Sequence, residues 1–133
     1  MTEFEQEVAL IREMGLKESP LRQEYEQRVA ALHQLGNRLL ASGKNEEQTA
    51  RILHAERREL GRQYKQASPP LFREYIYAAT AAKYGDPLGP TYEQLRRTKN
   101  CAQIISSASR PIENLDNRLT LDGFEQWYRE HHK

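Results

Sequence analysis

The fold is decided by residues 50–66, which read ARILHAERRELGRQYKQ. Leu53, Leu60 and Tyr64 follow one another at spacings of seven and four residues, so they share one side of a helix. The remaining positions are mostly polar or charged, as expected where a helix buries one stripe and solvates the rest. The pattern therefore predicts an amphipathic helix whose apolar stripe faces a core.

Helix start signals recur on both sides of this stretch. In each, a capping side chain is followed three residues later by Glu or Gln, which is the capping-box pattern. The pairs are Thr2 with Glu5, Asn45 with Gln48, Thr91 with Gln94, Asn100 with Gln103, and Asp122 with Glu125. Each pair predicts that a helix begins there. The helix that begins at Asn45 is predicted to reach about Gln66.

Two proline-containing segments mark further helix boundaries. Ser19 before Pro20 predicts a helix that runs to about Ala41, because Ser caps well and Pro fits the first helical position. Ser68-Pro69-Pro70 ends one helix and caps the next. Neither strand alternation nor a fixed-period repeat occurs, so we predict an all-α compact bundle of about five to seven helices with no significant β-sheet.

The length of 133 residues predicts a single helical domain, residues 1–133. Residues 1–43 could form a semi-independent helical arm beside a core of residues 44–133. The acidic start MTEFEQEVAL lacks the apolar run of a signal peptide, and no apolar run is long enough to span a membrane. The single cysteine, Cys101, excludes an internal disulfide and a multi-cysteine zinc site, and we expect no cofactor.

Charge is distributed unevenly along the chain. The net charge is only +1, but residues 31–110 carry thirteen basic against seven acidic side chains, and both ends are acidic. A basic middle of this kind can attract phosphate where the overall charge does not reveal it. Ordinary solvated helix faces would give the same counts, so both interpretations stay open.

A polar row runs along the helix of residues 50–66. Its members lie within about 60° of one another, at spacings of four, seven and eleven; they are His54, Arg58, Gly61 and Lys65. Histidine can act as a general acid or base near neutral pH, and cationic side chains can stabilise charge on a phosphate. The row therefore suits metal-independent RNA cleavage, although a solvated basic face is the simpler interpretation.

Two further segments could complete such a site. The stretch from Tyr84 to Pro90 has two glycines and two prolines, so we predict that residues 85–90 form an ordered turn beside the polar row. Ser107, Ser109 and Arg110 could line a phosphate pocket, or could simply end a helix before Pro111. Tyrosines 75, 77 and 84 could stack on bases, but tyrosines at helical spacing are also common in cores.

Three ordered motifs resemble a known type of toxin domain. They are HAERRELGRQYK at 54–65, PPLFREYIYAATAAKYGDPLGPTYEQLR at 69–96 and IISSASRP at 104–111. Together they resemble a C-terminal toxin domain of bacterial polymorphic toxins, namely contact-dependent-inhibition haemagglutinins and Rhs-type proteins. The resemblance covers about half of the chain and leaves residues 1–43 and 112–133 without a counterpart.

The resemblance implies an antibacterial toxin that cuts nucleic acid in the cytoplasm of a target cell. Such domains are secreted as part of a larger protein, and a cognate immunity protein neutralises them. We expect RNA, with tRNA as the model, rather than DNA as the substrate. The expected catalytic residues are His54, Arg58, Lys65 and Tyr64, and the expected phosphate-binding residues are Arg57, Arg110, Ser107, Ser109 and Tyr84.

Two other functions stay open at this stage. The chain could be a non-enzymatic helical interaction module, such as an immunity or adaptor protein, in which case an apolar or acidic patch should replace a basic cleft. It could also be a toxin that acts on nucleotides, lipid or NAD. A nuclease should bring His54 and Arg110 together in a basic cleft.

Overall fold

The computed structural model describes residues 1–14, 20–110 and 121–132. These residues form helices and contain no strand, so the predicted all-α bundle is confirmed. The helices are α1 Glu3–Met14, α2 Pro20–Ala30, α3 Leu32–Ala41, α4 Glu46–Ala67, α5 Pro70–Tyr84, α6 Tyr92–Arg96, α7 Cys101–Ala108 and α8 Leu121–His131. The predicted cap at Ser19 and the predicted stop at Pro111 lie outside the described residues.

Three capping boxes are confirmed at the starts of α4, α6 and α7. In each, the capping side chain accepts from the backbone N–H three residues later and the Gln side chain accepts from the capping residue's N–H. Thr2 accepts from the backbone N–H of Glu5 at 3.1 Å. The predicted cap at Asp122 is wrong, because α8 already includes Leu121 and Asp122 lies in its first turn.

The single helix predicted from Pro20 to Ala41 is divided at Ala31. The backbone there stays in the right-handed helical region, with φ −65° and ψ −15°, so α3 follows α2 without a loop. Apolar side chains stay in phase across the break, and Val29 and Leu32 are both buried. Periodicity alone therefore could not reveal the division.

Two hydrophobic cores lie on different sides of the bundle. The first is formed by α1, α5 and α8 around Ile11, Phe72, Tyr75, Ile76 and Phe124. The second is formed by α3, α4 and α7 around Leu32, Leu53 and Ala108. Leu60 packs against the second core and Tyr64 against the first, so the predicted apolar stripe of α4 does face the interior.

A remote carboxylate caps α5. The buried side chain of Glu7 on α1 accepts from the backbone N–H groups of Leu71 and Phe72, at 3.0 and 2.9 Å. Pro69, at the capping position, makes no side-chain cap of its own. Because the first turn of a helix has free N–H groups and a positive dipole end, this contact joins α1 to α5.

Close packing of α3 on α4 depends on Gly36. A Cβ built there would lie 3.0 Å from a Leu53 methyl carbon, closer than most real contacts. The small residue therefore lets α3 approach α4. Among the helices of the described residues, none combines the length and apolar character needed to cross a membrane.

Candidate functional site: a basic cavity beside α4

A cavity of about 230 Å³ lies between the two cores. Ile76 of the first core and Ala108 of the second both line it. Its ionisable lining residues are Arg22, Tyr25, His54, Arg57, Arg58, Tyr64, Lys65, Tyr84 and Lys99. No Asp or Glu of the described ranges is among the lining residues, so the cavity favours an anion.

His54 lines the cavity and is buried, with 8% of its surface exposed. Its Nε2 lies 2.9 Å from the carbonyl oxygen of Pro90. A carbonyl can only accept, so Nε2 carries the hydrogen and Nδ1 is the acceptor of the neutral ring. Burial lowers the pKa of His54 below 6.5, and nearby Arg58 and Arg57 lower it further against the opposing effect of the Pro90 hydrogen bond. Burial therefore favours the neutral ring, the form that a general base requires.

Arg58 holds the segment of residues 86–90 against α4. Its guanidinium donates to the carbonyl oxygens of Gly89 and Pro90, at 3.0 and 3.2 Å, and pairs with Asp86 at 3.3 Å. Asp86 also accepts from the backbone N–H of Leu88 at 2.8 Å. That hydrogen bond, followed by the charge of Arg58, lowers the pKa of Asp86. The predicted ordered turn beside the polar row is confirmed.

Lys65 is buried beside the same segment, with 7% of its surface exposed. Its ammonium group donates to the carbonyl oxygen of Pro87 at 3.0 Å and lies 5.7 Å from the centre of the Tyr77 ring. Burial, together with the charge of Arg58 and against the opposing charge of Asp86, lowers the pKa of Lys65 from 10.5 to about 8. A cation held in this way marks a candidate functional position.

Arg57 and Ser107 line the cavity from α4 and α7. Arg57 donates to the carbonyl oxygen of Ala108, the last residue of α7. The Ser107 hydroxyl donates to the carbonyl oxygen of Ile104 at 3.2 Å. Arg110 and Ser109 are not among the lining residues; Arg110 is exposed and donates to the Ser106 hydroxyl at 3.1 Å. The structure therefore does not bring Arg110 into the cavity with His54.

The predicted tyrosines differ in their surroundings. Tyr64 and Tyr84 line the cavity, and the Tyr64 ring stacks on Tyr25 of α2 with 4.8 Å between ring centres. Tyr75 is buried in the first core, and its burial raises its pKa, so its surroundings are those of a core residue. Tyr77 is half-buried beneath Lys65. Of the three proposed base-stacking tyrosines, only Tyr84 lines the cavity.

Arg22 and Lys99 are cavity residues that the sequence did not single out. Arg22 of α2 is 3% exposed, pairs with Glu26 at 3.1 Å, and lies 5.6 and 5.7 Å from the ring centres of Tyr25 and Tyr64. Arg22 precedes Tyr25 by three residues and Val29 by seven, which places it on the buried side of α2. This spacing could have indicated its burial. Lys99, in the turn between α6 and α7, carried no such signal.

The polar row is therefore not a solvated basic face. His54 and Lys65 are buried, and the row contacts the segment of residues 86–90 through the side chains described above. In the described ranges, no cluster of three or more His, Cys, Asp or Glu side chains could hold a metal ion. Comparisons with protein-family models, curated proteins and solved structures found no match for this chain.

Proposed function

We propose that this chain is an antibacterial toxin domain that cleaves RNA without a metal. The observation that carries the proposal is the cavity, where the buried imidazole of His54 lies among cationic side chains with no acidic lining residue in the described ranges. A base beside groups that stabilise a phosphate anion is the minimum that RNA cleavage needs. The resemblance of three motifs to polymorphic toxin domains supports the same function.

In the proposed reaction, Nδ1 of His54 takes the proton of a ribose 2′-hydroxyl. The 2′-oxygen then attacks the adjacent phosphorus, and the bond from phosphorus to the 5′-oxygen breaks. The leaving oxygen takes a proton from a water molecule, and the hydroxide so formed takes the proton that His54 holds, which gives a 2′,3′-cyclic phosphate, a 5′-hydroxyl and the neutral ring. Arg57 follows His54 by less than one helical turn, so it is the cation best placed to stabilise the charge on that phosphate.

Lys65 has a different role from Arg57 in this proposal. It lies eleven residues from His54, about 16 Å along the axis of α4, so we assign the two side chains to different phosphate groups. Arg58 is engaged with backbone carbonyls and Asp86, which suits a residue that positions His54 through the segment of residues 86–90. We therefore assign phosphate binding to Lys65 and positioning to Arg58.

Expression of the chain in bacteria tests the proposal. We expect growth to stop and tRNA fragments with 2′,3′-cyclic ends to accumulate, and His54→Gln to prevent both. Lys44→Ala, an exposed change away from the cavity, serves as the matched control and should remain toxic. Normal growth with intact RNA at a verified level of folded protein would refute the proposal.

One observation favours a second function, a non-enzymatic helical module. Every cation of the polar row already donates to the backbone of residues 86–90, so the row could serve only to hold this segment. Such a module would bind a protein partner and leave RNA intact. The His54→Gln variant separates the two functions, because a module would keep its binding.

A further inference from the structure

Two of the cations that line the cavity, Arg57 and Lys65, lie on one row of α4. Arg57, Gly61 and Lys65 follow one another at intervals of four residues, so they share one side of the helix. Eight residues separate Arg57 from Lys65, which is about 12 Å along the axis. All three residues line the cavity. The row therefore has a cation at each of its two ends, and its middle residue, Gly61, has no side chain.

The space above Gly61 is open. A Cβ built on Gly61 would meet only the Tyr25 hydroxyl, at 3.8 Å, within 4 Å. A glycine inside a helix costs about 1 kcal/mol relative to alanine, so its presence here leaves room in the cavity at the expense of helix stability. A ligand that spans both cations can therefore pass over the backbone at Gly61.

Charge at each end is incompletely neutralised within the protein. Arg57 and Lys65 donate to the carbonyl oxygens of Ala108 and Pro87, which carry no formal charge. The carboxylate that acts on Lys65, Asp86, also pairs with Arg58. Arg22 adds a further cation near Tyr64, the residue before Lys65, although Glu26 pairs with it. An anionic group at each end would supply the missing negative charge.

Part of the cavity wall is apolar. Ile76, Leu88, Leu95 and Ile104 line the cavity together with the Tyr84 ring. A simple inorganic anion would gain nothing from these side chains, whereas the ribose and base of a nucleotide would bury apolar surface against them. The volume of about 230 Å³ is below the roughly 300–1,000 Å³ of sites for drug-sized ligands, so the cavity can enclose at most one nucleoside and excludes a duplex.

We infer that the cavity binds one unpaired nucleotide of an RNA chain, with the phosphate on one side of its ribose at Arg57 and the phosphate on the other side at Lys65. This inference rests on the proposed function for the source of the nucleotide. It goes further in naming the bound unit, a nucleoside with a phosphate at both its 3′ and 5′ positions.

Calorimetric titration of the full chain with adenosine 3′,5′-bisphosphate tests the inference. We expect it to bind at least about tenfold more tightly than 5′-AMP, 3′-AMP or inorganic phosphate, which corresponds to about 1.4 kcal/mol for the second phosphate. Arg57→Gln and Lys65→Met should each reduce its affinity to that of a monophosphate, while Lys44→Ala should leave it unchanged. A melting curve for each variant verifies that it is folded.

Competition experiments test whether the bound nucleotide belongs to single-stranded RNA. Single-stranded oligoadenylate should displace the bisphosphate, and a blunt duplex of the same length should not. Equal affinity for phosphate, AMP and the bisphosphate, or an unchanged affinity in both folded variants, would overturn the inference. Displacement by the duplex, or none by the single strand, would overturn the RNA source.

The ribonuclease proposal and the nucleotide-binding inference can be refuted separately. RNA cleavage by a chain that does not bind the bisphosphate would refute this inference and leave the ribonuclease proposal intact. Binding of the bisphosphate by a chain that leaves RNA intact would refute the ribonuclease proposal and support nucleotide binding.

Discussion

The imidazole of His54 on α4 donates from Nε2 to the carbonyl oxygen of Pro90, at 2.9 Å across 36 residues of sequence. This contact fixes the ring tautomer and joins α4 to the segment that ends before α6. Because His54 is buried, it contributes to the fold as well as to the proposed chemistry. Loss of activity in a His54 variant is therefore informative only when stability is measured beside it.

Two substitutions at His54 separate these contributions. His54→Ala leaves the Pro90 oxygen without its donor, and we expect the free energy of unfolding to fall by about 1–3 kcal/mol. His54→Gln keeps an N–H donor and should lose less than half as much. Urea denaturation of both variants measures this difference. An equal loss in both would mean that ring packing, and not the hydrogen bond, stabilises this contact.

Lys65 should make stability depend on pH. Its pKa is lowered from 10.5 to about 8 in the folded chain, so between these values the unfolded chain binds more protons and stability rises with pH. The charged groups facing it are Arg58 and Asp86, with the Tyr77 ring beside them. A shift of this size corresponds to roughly 3 kcal/mol.

Lys65→Met isolates that contribution. The variant should be at least as stable as the native chain at pH 7, because it buries no charge there. The free energy of unfolding of the native chain should then increase relative to that of the variant as pH rises from about 8 to 10.5. Denaturation curves at several pH values measure the gap. A gap that stays constant over this interval would show that Lys65 keeps its ordinary titration.

Gly89 should be the least tolerant position of the segment of residues 86–90. It has φ of +102°, a conformation that side chains other than glycine rarely adopt, although a Cβ there would meet nothing within 4 Å. Gly89→Val should therefore lower stability through backbone strain, by about 1–3 kcal/mol. Lys44→Ala, an exposed change, should stay within about 0.5 kcal/mol. Equal melting temperatures would make this segment an ordinary connector.

Glu7 should stabilise the junction of α1 and α5. Glu7→Gln removes the charge and one of the two acceptors that hold the N–H groups of Leu71 and Phe72. We expect a loss of about 1–2 kcal/mol, since hydrogen bonds to charged groups and caps have this magnitude. Glu13→Gln, on the exposed side of α1, is the matched control. Similar thermal stability of the two variants would argue against the cap.

The capping boxes of α4, α6 and α7 could be predicted from sequence because each depends on residues three apart. The ordered segment of residues 86–90 could be predicted for the same local reason, from its glycines and prolines. The burial of His54 and Lys65 could not. Since α4 packs against several helices at once, the buried part of its surface is wider than one apolar stripe. Helical periodicity identifies only that stripe.

The composition of the cavity was only partly predictable. Arg22 occupies the buried side of α2, but its charge made an exposed position the natural expectation. Lys99 reaches the cavity from a turn, and tertiary folding alone decides that placement. Arg110 had a predicted role, yet it lies outside the cavity lining, and its side chain contacts Ser106 on α7 instead.

The most direct test of the central claim is cleavage of tRNA by the purified chain in the presence of EDTA. The native chain and Lys44→Ala should produce fragments with 2′,3′-cyclic ends at the same rate. His54→Gln should be slower by about 10²–10⁴, the usual contribution of a general base, with an unchanged helical spectrum. Cleavage by folded His54→Gln at the native rate, or intact tRNA with the folded native chain, would contradict the account.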